Sequence, residues 1–117
     1  MNTDILVHLF HIIIVGSIFL YIGINKTNIP TYAYPFLIFL GIVIILYHSY
    51  KAYIRTIAGT SAWINYIHIL LIGPLLIYIG INNKNTKSRY FEILLMFGFA
   101  AIGYHGYYLC KELYNAK

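Results

Sequence analysis

Two stretches, HIIIVGSIFLYIGIN at residues 11–25 and HILLIGPLLIYIGIN at residues 68–82, decide how this chain folds. They are one segment written twice, 57 residues apart. His11-Ile12 recurs as His68-Ile69, and Tyr21-Ile22-Gly23-Ile24-Asn25 recurs as Tyr78-Ile79-Gly80-Ile81-Asn82. Further along, Tyr47, His48 and Tyr50 return as Tyr104, His105 and Tyr107. Residues 8–53 laid on 65–110 give 15 identities in 46 positions. A repeat of this period sets the architecture before any other reading, and ionisable groups inside apolar helices are functional candidates by default.

The chain is 61% hydrophobic and 9% charged over 117 residues. Its apolar residues gather into four runs, 5–24, 34–50 or slightly beyond, 63–81 and 90–110, of roughly the 20 residues that span a bilayer core. The expected fold is all-α: an integral membrane four-helix bundle built from two tandem transmembrane hairpins. Residues 1–117 then form one transmembrane domain, with repeat 1 at about 5–53 and repeat 2 at about 62–110. Each repeat is an antiparallel hairpin, and the two are related in parallel by a pseudo-twofold axis along the membrane normal. An even helix count puts both termini on one side.

The first run does not read as a cleavable signal, since Met1 to Asp4 carry no basic side chain and the run recurs as the third helix. The lone Cys110 excludes an internal disulfide. The net charge of +5 is scattered at helix ends, without the basic stripe that nucleic-acid binding needs. Lys51, Arg55, Lys111 and Lys117 on one side balance Lys26, Lys84, Lys87 and Arg89 on the other, so the positive-inside rule gives no orientation. The partners expected are the lipid bilayer and further copies of the chain. Heavy use of Ile, Asn, Lys and Tyr is what AT-rich viral or protist genomes produce.

Loops are expected at residues 25–33, 51–62 and 82–89, with Ile54 and Ile57 resting on the membrane surface. Pro74 stands where the first copy has Ser17 and is expected to kink the third helix. Asn25 and Asn82 are expected to cap helices, and Glu92 to favour the first turn of the fourth. At 1.5 Å per residue, His11 and His68 lie about 21 Å from the far-side turns, and His48 and His105 about 20 Å. All four imidazoles should share one layer. Leu37, Gly41, Ile45 and His48 fall on one helical stripe, repeated as Leu94, Gly98, Ile102 and His105, and this is the expected inward face. In the first and third helices the stripes run through Val15, Ile18 and Ile22, and through Ile72, Leu75 and Ile79. His8 aligns with Asn65 and falls outside the repeated set.

Three chemistries suit such a layer. His11, His48, His68 and His105 are candidate ligands of haem b or a transition metal, with electron transfer as the function. Gly41 and Gly98 would make space for a flat ring, and Lys51, Arg55 and Lys111 could pair with propionates. In architecture alone this resembles the helical core of b-type cytochromes. A bare divalent ion lacks compensating carboxylates at that depth. The second chemistry is a histidine-gated proton or small-cation channel, opposed by a dry stretch about 20 Å long beyond the layer. The third is packing alone, with Tyr47 and Tyr104 hydrogen-bonded to imidazoles on other helices. Hydrolase, kinase and desaturase chemistries lack their required groups, which argues against an enzyme.

Overall fold

The computed structural model describes residues 3–115. Met1, Asn2, Ala116 and Lys117 lie outside the described residues, and with them Lys117 of the charge count. Four helices are long and apolar enough to cross a membrane: α1 (Thr3–Asn25), α2 (Ala33–Ile57), α3 (Trp63–Asn85) and α4 (Ser88–Asn115). No strand occurs among the described residues.

The loops are shorter than the sequence suggests. α2 continues past Tyr50 through Lys51 and Arg55 to Ile57, so Ile54 and Ile57 are helical rather than in a surface loop. Lys and Arg are good helix formers whose stems can lie along the helix while their charges reach water. The helix stops where Gly59 takes a positive φ of 75°. α1 and the regular part of α3 end in the same way 57 residues apart. The side-chain amides of Asn25 and Asn82 donate to Tyr21 O at 2.7 Å and Tyr78 O at 2.8 Å. The following residues, Lys26 and Asn83, then turn the chain with positive φ. α4 starts at Ser88, which puts Glu92 beyond the first turn, where its carboxylate accepts from Lys26 Nζ at 3.3 Å.

Packing divides the chain into two compact units. Unit 1 comprises Met1–Lys26 and Phe91–Lys117, and therefore pairs α1 with α4. Unit 2 is Thr27–Tyr90 and pairs α2 with α3. The units thus differ from the two hairpins expected of the repeats: each takes one helix from each copy. Each has its own core. In unit 2, Tyr34, Leu37, Leu76 and Ile79 are fully buried; at the repeat-equivalent positions of unit 1, Phe91, Leu94, Phe19 and Ile22 are at most 3% exposed. Close van der Waals contact between small and apolar residues brings the two helices of each pair together. Glycine makes that contact possible. A Cβ on Gly73 would fall 2.5 Å from Ile45 Cγ1, and one on Gly16 2.7 Å from Ile102 Cγ1, so any larger residue forces the helices apart.

Of the expected stripes in α2 and α4, Leu37, Gly41, Leu94, Gly98 and His105 are buried, whereas Ile45, His48 and Ile102 are half-buried. The stripes of α1 and α3 are partly displaced. In α1 the expected Ile22 is buried, but Gly16, Phe19 and Gly23 are buried with it in place of Val15 and Ile18, and Ile5 is buried near the start of the helix. In α3 the expected Ile72 and Ile79 are buried, but Leu75 turns partly outward and Gly73, Leu76 and Gly80 join the buried face, with Asn65 nearer the start of the helix. The cause is a π-helical turn in each, His11–Val15 and His68–Ile72. One extra residue in the turn advances the inward face by one position. Because the first turn lacks proline, Pro74 is not its cause.

Candidate functional site

Each π-turn begins at a histidine. His11 O accepts from Gly16 N–H and His68 O from Gly73 N–H, five residues on. Glycine at that position lets the widened turn lie against the partner helix. Both imidazoles are then tied back to their own helix: His11 Nδ1 donates to Val7 O at 2.8 Å, and His68 Nδ1 to Ile64 O at 2.7 Å. A carbonyl oxygen only accepts, so Nδ1 carries the hydrogen and, in the neutral ring, Nε2 carries the lone pair.

The partner helix supplies a second imidazole to each. In unit 2 the rings of His48 and His68 stack with centroids 3.8 Å apart and planes at 13°. In unit 1, His11 and His105 stack at 4.1 Å and 17°. A third side chain fixes the outer ring of each pair. Asn65 Oδ1 accepts from His48 Nδ1 at 2.8 Å. At the equivalent place, His8 Nδ1 and His105 Nδ1 lie 2.9 Å apart, so one of them donates and the other accepts. Asn65 is 3% exposed and His105 9%, whereas His8, His11, His48 and His68 are half-buried.

No protein-family model, no curated protein and no solved structure matches this chain.

The four histidines singled out in the sequence are thus brought together two by two, His11 with His105 and His48 with His68. Tyr47 and Tyr104 lie edge-on to the imidazoles that follow them, at 5.2 Å and 5.1 Å. The space beside Gly41 is taken by the partner helix, since an added Cβ would meet Gly73 O and Ile77 Cγ1 at 2.7 Å. Beside Gly98 the same Cβ would meet Leu20 and Phe19 at 3.1 Å. These glycines bring helices together within each unit and leave no gap for a flat ring there. Lys111 lies over the Tyr108 ring, which stacks with His8 at 6.1 Å.

His8 and Asn65 are the site residues that sequence reasoning missed. They align with each other at the repeat offset but differ in type, which sets His8 outside the repeated histidines; yet both are compact polar groups that can hydrogen-bond an imidazole. Gly16 and Gly73, identical between the copies, also went unused. They were the signal for close approach along α1 and α3.

Chemically, each cluster offers stacked basic nitrogens inside an apolar helix pair. A first proton would be delocalised over one imidazole ring. A second would place like charges about 4 Å apart where the dielectric is low, which is strongly unfavourable. Each pair is therefore suited to hold one proton at a time. A transition metal needs three or four donors, and among the described residues no group of three or more His, Cys, Asp or Glu is arranged to hold one.

Proposed function

We propose that this protein is a multi-pass membrane protein whose two equivalent imidazole pairs take up and release protons within their helix pairs. It acts as a proton-operated membrane component. In this reading all four helices cross the bilayer, both termini lie on one side, and the tandem repeat supplies two copies of the same device. The observation that carries the reading is the stacked pair, formed at equivalent positions of both units and tethered through Nδ1. Imidazole is the side chain that changes charge near neutral pH. Protonating one ring of a stacked pair alters the contact between the two helices it joins. The buried residues beyond each pair are apolar as far as Asn25 and Asn82, namely Gly16, Phe19, Ile22 and Gly23 in α1 and Ile72, Gly73, Leu76, Ile79 and Gly80 in α3, which favours a switch over a continuous conduit.

The test is ¹⁵N NMR of histidine-labelled protein in lipid nanodiscs. Each pair should titrate in two separated macroscopic steps, the first between about pH 5 and 8. His48→Gln should remove the two-step behaviour of unit 2 and leave unit 1 unchanged. If no imidazole of either pair changes protonation across that range, the reading is wrong.

Haem b or a transition metal at His11, His48, His68 and His105, serving electron transfer, is the second reading. Its support is the Nδ1 tether, since metal-binding imidazoles commonly donate their other nitrogen to a backbone carbonyl. It requires donors from beyond one stacked pair, such as a second copy of the chain. A Soret band or stoichiometric metal in the same preparation, lost in the His48→Ala, His105→Ala double variant, would decide for it.

A further inference from the structure

The net charge of the chain belongs to unit 2. Its five cations, Lys51, Arg55, Lys84, Lys87 and Arg89, have no acidic residue beside them in residues 27–90. Unit 1 is balanced, with Lys26, Lys111 and Lys117 against Asp4, Glu92 and Glu112. Lys84, Lys87 and Arg89 stand at the turn that closes α3 and opens α4, and all three are exposed. The turn between α1 and α2 differs. Its cation, Lys26, is joined to Glu92 at 3.3 Å, and residues 27–32 carry no charge.

The turn that displays the three cations is held by its own hydrogen bonds. Thr86 is buried, and its hydroxyl donates to Asn83 O at 2.8 Å. Asn83 Oδ1 accepts from Lys84 N at 3.0 Å. Thr86 thus anchors the chain to the end of α3 between Lys84 and Lys87. Arg89 lies over the Tyr90 ring, 5.2 Å from its centroid, and the rings of Tyr90 and Tyr78 pack 4.5 Å apart. Tyrosine favours the membrane–water interface, where its ring meets the apolar layer and its hydroxyl the headgroups. The tyrosine pair therefore holds the guanidinium at headgroup depth. Guanidinium matches phosphate oxygens through paired N–H donors, and ammonium groups add point charge. Three like charges with no carboxylate in their unit repel one another until an anion comes among them.

We propose that this turn is a docking surface for anionic phospholipid headgroups. Arg89 binds the lipid phosphate, and Lys84 and Lys87 meet the net negative charge of the headgroup. The surface rests on the part of the proposed function in which the helices cross a bilayer, and it is independent of proton uptake by the imidazole pairs. Because unit 1 is electrically balanced, anionic lipid gathers at unit 2.

The test uses the full chain in phosphatidylcholine vesicles doped with spin-labelled phosphatidylglycerol or spin-labelled phosphatidylcholine. The motionally restricted part of the electron spin resonance spectrum reports the lipid held at the protein. At low salt phosphatidylglycerol should be preferred at least about threefold, since each cation near the surface attracts anionic lipid. In about 1 M salt, where the screening length falls to about 3 Å, the preference of the unaltered chain should largely vanish. The variant Lys84→Gln, Lys87→Gln, Arg89→Gln should lose most of the preference at low salt. Lys51→Gln with Arg55→Gln, a change at the other end of α2, should keep most of it. Equal association of the two lipids with the unaltered chain would overturn the surface, as would a triple variant that keeps the preference. An alkaline wash of the same vesicles separates the two levels of failure. Protein that stays in the bilayer without lipid preference removes the headgroup surface alone. Protein stripped off by the wash removes the membrane-spanning reading and the surface with it.

Discussion

Tyr34 and Phe91 occupy the same place in their two units, fully buried, yet only Tyr34 carries a hydroxyl, and that hydroxyl has no partner. An unsatisfied hydroxyl in such a site is a net cost. Tyr34→Phe copies what unit 1 already does. It should raise stability by about 1 kcal/mol, read as a higher Tm in detergent, and a lower Tm would show that the hydroxyl is bonded after all. Among the described residues Asn65 Nδ2 is the other orphan, and its situation differs because the same side chain uses Oδ1 to hold His48. At this scale the sequence was partly legible. His11, His48, His68 and His105 stand out because imidazole is rare in apolar runs. Asn65 and His8 do not, because their role exists only once α2 meets α3 and α1 meets α4.

Among the elements, the π-turns at His11–Val15 and His68–Ile72 do most to set the geometry. A periodicity of 3.6 assigns Val15 and Ile18 to the core; the extra residue hands their places to Gly16 and Phe19. Simple helical-wheel reasoning cannot see this, since a π-turn leaves no composition of its own. It predicts an asymmetry in deletion tolerance. Removing Ile13, exposed within the first π-turn, converts the turn to regular α-helix and keeps the faces on either side in place. Removing Ile42, equally exposed but in uninterrupted α2, rotates Ile45 and His48 by about 100° away from α3. The Ile13 deletion should therefore purify as a monodisperse folded species, and the Ile42 deletion should aggregate. Size-exclusion profiles of the two, side by side, check this. Helix existence and spans were plain from hydropathy, whereas the ends moved because Lys51 and Arg55 extend α2 instead of breaking it.

For the molecule as a whole, the pairing of α1 with α4 and of α2 with α3 is the main departure from the repeat-based picture. Short loops made the repeat hairpins the obvious partners; the glycine contacts decided otherwise. Two engineered cysteine pairs test it on a Cys110→Ser background. Ile45→Cys with Gly73→Cys, and Ile102→Cys with Gly16→Cys, replace groups that already touch. Disulfides need Cβ atoms about 3.5–4.5 Å apart, and mild oxidation should close both bridges within one chain. Failure of the second bridge while the first forms would mean that unit 1 is not a standing structure.

That pairing also bears on how the chain is made. Unit 2 is contiguous in sequence, so α2 and α3 can join as soon as both have left the ribosome. Unit 1 joins α1 to α4, so α1 lacks this partner until α4 has been synthesised. Throughout that interval His8, His11 and the bare backbone at Gly16 and Gly23 lack the packing that α4 supplies. α4, on emerging, completes the core that α1 began.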